Sequence, residues 1–206
     1  MIHQLAHDLT ESGLLPDGVV KTGIRQLLRQ RLAEIHADTP EISCSNLANH
    51  LKVMRESPVA VMTDKANEQH YELPTEFFTE VLGECNKYSC CYWNEHTQTL
   101  GDAEKAALAL TCEHAALSDG LNILELGCGW GSLTLWMSRH YPKAHITAVS
   151  NSVTQRAYIE SQLEARGCDN VTVVTADMNA FSTDKRFDRV VCVEMFEHMR
   201  NWQLLF

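Results

Sequence analysis

The 206-residue chain has no apolar run approaching the ~18 to 20 residues that a membrane-spanning helix requires. Its opening, MIHQLAHDLTESGLL, lacks the basic start and the apolar core of a signal peptide. Basic residues are outnumbered 17 to 27 by acidic ones, a formal net charge of −10. Proteins that grip phosphate backbones present a basic face, so this balance argues against nucleic acid as a partner. None of the eight cysteines forms a CxxC pair. The adjacent Cys90 and Cys91 have poor geometry for bridging each other, and with His96 they lack a second ligand pair of the usual spacing. Neither a disulfide framework nor a metal site is therefore expected. Repeats and low-complexity segments are absent too. What remains is 45% hydrophobic and 21% charged, the balance of a folded globular chain, expected in the cytoplasm.

Periodicity predicts helices in the first half. Residues 17–36 place Val20, Ile24, Leu27, Leu28, Leu32 and Ile35 on one face. Lys21, Arg25 and Arg29 lie opposite, with Arg31 nearby, so four of the 17 basic residues fall between positions 21 and 31. Such a helix either presents a solvated basic face or lies on an anionic membrane. Residues 45–56 and 74–83 also read as helical, and 102–117 as an alanine-rich helix with Asp102 near its start.

After Gly120 the texture changes. NILELGCG (122–129), HITAVS (145–150), VTVVTAD (171–177) and FDRVVCVEM (187–195) read as strands. Helical stretches follow the first two, and EHMRNWQLLF begins another helix. Near-continuous apolar strands alternating with helices imply a parallel sheet covered on both faces. Ligands of such sheets bind beyond the carboxyl ends of the strands, which directs attention to 127–131, 150–155, 177–179 and 194–198.

Each of these strand ends carries polar or glycine-rich chemistry. Gly127, Gly129 and Gly131 in ELGCGWG permit positive φ and close approach of a ligand to the backbone. A nicotinamide dinucleotide site would want GxGxxG and an acid about 20 residues on. Here the third glycine comes one place early, and the second strand ends in Ser150-Asn151-Ser152 without a carboxylate. The string matches instead the first motif of class I S-adenosyl-L-methionine (SAM) methyltransferases. Asn151 and Gln155 can bond ribose hydroxyls in place of a carboxylate, or Ser152 and Gln155 can form a helix capping box. Asp177 before Met178 suits an adenine amino group, or simply a turn. Glu194, Glu197 and His198 cluster within five residues at the fourth strand end, as proton-handling groups or, for Glu197, as a helix-terminal charge.

Taken with HYELPTEFF (70–78) and YSCCYW (88–93), the segments GCGWGS, SNSVTQ, ADMNAF and VEMFEHMRNWQLL resemble the cyclopropane fatty acid synthase superfamily. Within it they are most similar to the coclaurine N-methyltransferase type. The resemblance covers roughly 66–206 and implies an α/β, Rossmann-like class I methyltransferase sheet. Its first four parallel strands are present, preceded by a helical N-terminal region over 1–65. It implies SAM as cofactor, contacted by Ser89, Gly127, Gly129, Asn151, Gln155, Asp177 and Met178. It further implies that Glu197 and His198 face a small-molecule amine, with Glu194 orienting the pair. The lipid-modifying branch, whose members hold a bicarbonate base through a cysteine and a glutamate, finds Cys90 and Glu197 at matching positions. An unsaturated phospholipid is thus the alternative substrate.

The chain stops at Gln203-Leu204-Leu205-Phe206, inside an apolar helical stretch. A full sheet of this family has seven strands, so the expectation is a fragment or a truncated product. The open edge beside the fourth strand would be covered by a missing C-terminal region or by a second copy. A non-catalytic product that retains part of the SAM cleft is the other class of reading.

Overall fold

The computed structural model describes residues 2–36, 38–63 and 74–206. His70–Leu73 of the HYELPTEFF motif and the expected domain boundary at 65/66 lie outside the described residues. The chain divides into two compact units, Met1–Lys52 and Val53–Phe206.

The first unit contains α1 (Ile2–Glu11), α2 (Asp17–Ile35) and most of α3 (Pro40–Glu56). Pro16 precedes α2 with an extended backbone, and Asp17 places a negative charge in its first turn, where the helix dipole favours one. Helix α3 begins five residues before the predicted 45, because Thr39 Oγ1 accepts from Ile42 N–H at 3.3 Å and Pro40 is tolerated in a first turn. The apolar face predicted on α2 forms but is not covered. Ile24, Leu27, Leu28, Leu32 and Ile35 are 49–62% exposed, and α2 has no buried residue.

The second unit carries the sheet. Helix α4 (Thr75–Val81) leads to α5 (Leu100–His114), which starts two residues before Asp102. The reason is a reciprocal cap: Thr99 Oγ1 accepts from Asp102 N–H at 3.2 Å, and Asp102 Oδ2 accepts from Thr99 N–H at 3.0 Å. Helix α5 ends before the predicted 117, since Ala116 turns left-handed at φ 47°. Then follow β1 (Asn122–Leu126), α6 (Ser132–His140), β2 (His145–Ser150), α7 (Val153–Arg166), β3 (Val171–Thr175), β4 (Arg189–Cys192), a 3₁₀ turn (Phe196–His198) and α8 (Trp202–Leu205).

The four strands pair parallel in the order β3-β2-β1-β4, so the chain reverses direction across the sheet between β1 and β4. Side chains alternate across β1. Ile123 packs with Leu108, Leu133 and Met137 on one face, while Leu124 and Leu126 pack with Val149, Phe181 and Phe187 on the other. Burial on both faces explains why these strands read as apolar runs rather than as alternating ones.

Two predicted elements are corrected. The fourth strand spans 189–192 rather than 187–195, because Glu194 adopts a left-handed φ of 51° and breaks the ladder. Residues 197–206 are not one helix. The single turn at Phe196–His198 stops, and α8 starts only where Asn201 Oδ1 accepts from Leu204 N–H at 3.2 Å. Among the described residues no helix is long and apolar enough to cross a membrane.

Candidate active site

The end of β1 shapes the site. Gly127 has φ +77°, and a Cβ there would sit 2.8 Å from Cβ of Met195, so the turn from β1 can pass the β4 loop only as glycine. Gly129 has φ +52° with open space where its Cβ would point. Gly127 N–H and Cys128 N–H both donate to Val149 O, at 3.0 and 2.9 Å, which locks the turn to the end of β2.

Two adjoining cavities open at this edge, and both are lined by Gly127, Gly129, Glu194 and His198. The larger, about 380 Å³, adds Ser89 and Glu197 from the predicted set. The smaller, about 110 Å³, adds Asn151, Gln155 and Met178. Nine of the ten predicted site residues therefore line one continuous edge. The tenth, Asp177, lies behind it: Oδ2 accepts from the Thr63 hydroxyl at 2.7 Å and Oδ1 from Asn179 N–H at 2.7 Å. Burial pushes its carboxyl up, but these bonds outweigh that and hold it below the usual aspartate value.

Of the two roles open to Gln155, the reciprocal capping box does not form. Ser152 Oγ accepts from Gln155 N–H at 3.3 Å, so Ser152 does cap α7, yet the Gln155 side chain does not return the bond. Its Oε1 accepts instead from Ser150 Oγ at 2.7 Å, and its buried Nε2 has no hydrogen-bond partner. Ser132 Oγ and Trp130 Nε1, whose residues line the larger cavity, are likewise buried without a partner. Buried donors rarely go unpaired, so three at one edge fit a polar ligand.

Several polar residues of the site carried no role in the sequence reading. Glu125, on β1 in the buried edge of the larger cavity, accepts from the Thr134 hydroxyl at 2.6 Å. Burial pushes its carboxyl up to about 8, against the lowering effect of that hydroxyl, so near neutrality it is mostly uncharged. Lys87, a lone base in the stretch before YSCCYW, is buried and donates to Ser89 Oγ and, at 2.7 Å, to Cys90 O. Beneath it Glu104, fully buried on α5, accepts from the N–H groups of Gly83, Cys85 and Lys87 at 2.8–3.1 Å. A Cβ on Gly83 would meet that carboxylate at 2.5 Å. Glu125 stood inside a motif already singled out; Glu104 gave no local signal, because its three partners are 17–21 residues away.

Glu194 Oε1 accepts from Cys90 N–H at 2.9 Å, tying the YSCCYW loop to the end of β4. A bond to the Glu194 carboxylate, and its charge, raise the Cys90 thiol above its ordinary value. The cysteine thus pairs with Glu194. All eight cysteines are free thiols, and no group of metal-ligating side chains forms among the described residues.

The family model for mycolic acid cyclopropane synthetase matches residues 61–206. The chain belongs to that family. It is 39% identical over 195 residues to (S)-coclaurine N-methyltransferase from Thalictrum flavum subsp. glaucum, covering 95% of this chain and 54% of that protein. It is 38% identical over 192 residues to (S)-tetrahydroprotoberberine N-methyltransferase from Eschscholzia californica, covering 93% and 55%. The chain thus spans about half the length of the curated relatives it matches. A crystal structure of coclaurine N-methyltransferase bound to N-methylheliamine and SAH superposes with a TM-score of 0.86 at 37% identity, over 100% of this chain and 59% of that one. The parallel sheet with its flanking helices is the class I SAM methyltransferase fold, and the expected fold class stands.

Proposed function

We propose that this family member provides the cofactor cleft and the proton-handling residues of a SAM-dependent N-methyltransferase for a small-molecule amine in the cytoplasm. The observation that carries the reading is the convergence of Glu194, Glu197 and His198 with Gly127 and Gly129 on one cavity edge. SAM supplies a sulfonium-bound methyl group that a neutral amine accepts by in-line displacement. The chain's own task is then alignment, cation binding and removal of one proton.

Gly127 and Gly129 are assigned to the amino-acid end of the cofactor, with Ser89 beside them. Asn151 and Gln155 are assigned to the ribose, and Met178 to the base. The unpartnered Nε2 of Gln155 supports this, since an amide donor left buried gains a partner when a ribose hydroxyl enters. An alkylamine near neutral pH is mostly an ammonium ion. Glu194 and Glu197 hold that cation, and His198 takes its proton, an imidazole being the side chain suited to exchange near neutrality. With Glu125 mostly uncharged, the negative charge of the cavity is concentrated where the amine docks.

Methylene transfer to an unsaturated lipid chain is the second reading, supported by the family's name and by Cys90 with Glu197. Against it, the Cys90 backbone N–H is already held by Glu194 Oε1. The flank of β4, last in the strand order among the described residues, offers an edge to a further segment or to a second copy.

Calorimetry with SAH followed by turnover on secondary and tertiary amines tests the proposal. The expected result is binding, methylation, and a loss of about a hundredfold in kcat for Glu197→Ala and His198→Ala at unchanged SAH affinity. Unchanged rates in both variants overturn the assignment of the base. Binding without turnover supports a non-catalytic role, and bicarbonate-dependent mass gain on unsaturated phospholipid supports the lipid branch.

A further inference from the structure

The outer wall of the smaller cavity comes from a segment far away in sequence. Ala60, Val61 and Thr63 face residues at the ends of β2 and β3 across the pocket. This segment is tied down at two separate loops. On the β4 side, Ala60 bridges antiparallel to Met199, and Arg200 N–H donates to Val59 O at 2.7 Å. There Asn201 Nδ2 also donates to Arg55 O and Ser57 O, at 2.9 and 2.8 Å. On the β3 side, Asn179 mimics a strand partner: its Oδ1 accepts from Ala60 N–H at 2.9 Å and its Nδ2 donates to Ala60 O at 3.0 Å. The Thr63 hydroxyl then donates to Asp177 Oδ2.

Strands β2 and β1 lie between β3 and β4, yet the loops after the two outer strands converge on Ala60. Residues 57–63 are therefore a strap pinned at Ala60 by both loops, sharing the cavity with the ends of β2 and β3. Met62 adopts φ 58°, a left-handed conformation that a side chain disfavours, between Val61 and Thr63. Such a residue persists where surrounding bonds fix it, and here Ala60 and Thr63 are both held by side chains of the β3 loop.

We infer that Asn179 and Asp177 are positioning residues that hold the 57–63 strap as the outer wall of the nucleoside pocket, Asp177 acting through Thr63 and not by contact with the base. The inference rests on the cofactor reading above and reassigns one of its residues. The smaller cavity is lined by Asn151, Gln155 and Met178 together with Ala60, Val61 and Thr63 of the strap. A nucleoside entering there loses water on one face only if that wall stays in place. Both oxygens of Asp177 point to protein donors, and Asp177 does not line the cavity.

The test is SAH calorimetry on the unaltered chain, Thr63→Val, Asp177→Ala and the double variant. Loss of one charge-assisted hydrogen bond should weaken SAH about tenfold in Thr63→Val. The double variant should bind no more weakly than Asp177→Ala alone, and Thr63→Ser should restore affinity. Normal SAH affinity in Thr63→Val, with the whole loss in Asp177→Ala, would mean that Asp177 touches the cofactor directly and would overturn the inference. So would losses that multiply in the double variant. Hydrogen exchange on the unaltered chain covers the event that a variant fails to fold. Amides of 57–63 should exchange more slowly with SAH bound, and unchanged exchange there contradicts the strap. Failure of the unaltered chain to bind SAH at all is a different result, which removes the cofactor reading itself.

Discussion

Helices α2 and α6 read alike in sequence, each with apolar residues on one side, yet their fates differ. In α6, Leu133 and Met137 are buried against Ile123, Leu108 and Ile146. In α2 the matching stripe of isoleucine and leucine is more than half exposed on average and touches no core. Amphipathic spacing therefore fixes which side of a helix will be covered if anything covers it. It does not supply the cover. For α6 the cover is the sheet, assembled from strands on either side of it in sequence. Within its own unit α2 meets nothing comparable.

The contrast can be broken by mutation. Met137→Ala should be the most damaging change, lowering stability by about 3 kcal/mol, because it opens a cavity in a fully buried cluster. Urea denaturation reads this directly, and a loss under 1 kcal/mol would mean that the core around α6 is looser than described.

Glu125→Gln probes the same core through pH. Its carboxyl is pushed up to about 8 in the folded chain, from 4.5 as the ordinary value, so folding takes up a proton between those limits. The stability of the unaltered protein should consequently fall as pH rises through that window, by roughly 1.4 kcal/mol per unit from this group. The glutamine variant should lack that slope and gain on the parent as the pH approaches 8. Parallel profiles for the two proteins would place Glu125 in contact with water or with a cation.

Leu28→Ala on α2 should have the smallest effect, within about 0.5 kcal/mol, as expected for an exposed side chain. A loss near that of Met137→Ala would show that the α2 stripe is covered in solution, and the contrast between the helices would vanish.

The same division separates what was legible in the site. HITAVS gave β2 to the residue, and ELGCGWG gave the turn at its glycines, because an apolar run and a positive φ are local requirements. The polar side chains at the strand ends were found by type, but the protein partners of two were not legible. Gln155 turned to Ser150, and Asp177 to Thr63, 114 positions away. The fourth strand came out short because Glu194 leaves the ladder to meet Cys90, again a distant partner. Lys87 and Glu104 were passed over because a buried charge looks like a surface one until its donors and acceptors are assembled around it.

The sequence by itself determined the order of strands and helices, the glycine turn under the cleft and the chemical types gathered at its edge. Each follows from conformational preference or from hydrophobic period, which act over a few residues. Only the tertiary structure decided which of those groups face the cavity, which are consumed in holding the wall, and which apolar stripes find a core. Those outcomes depend on pairings between residues tens to more than a hundred positions apart. The geometry that allows them exists only once the sheet has formed.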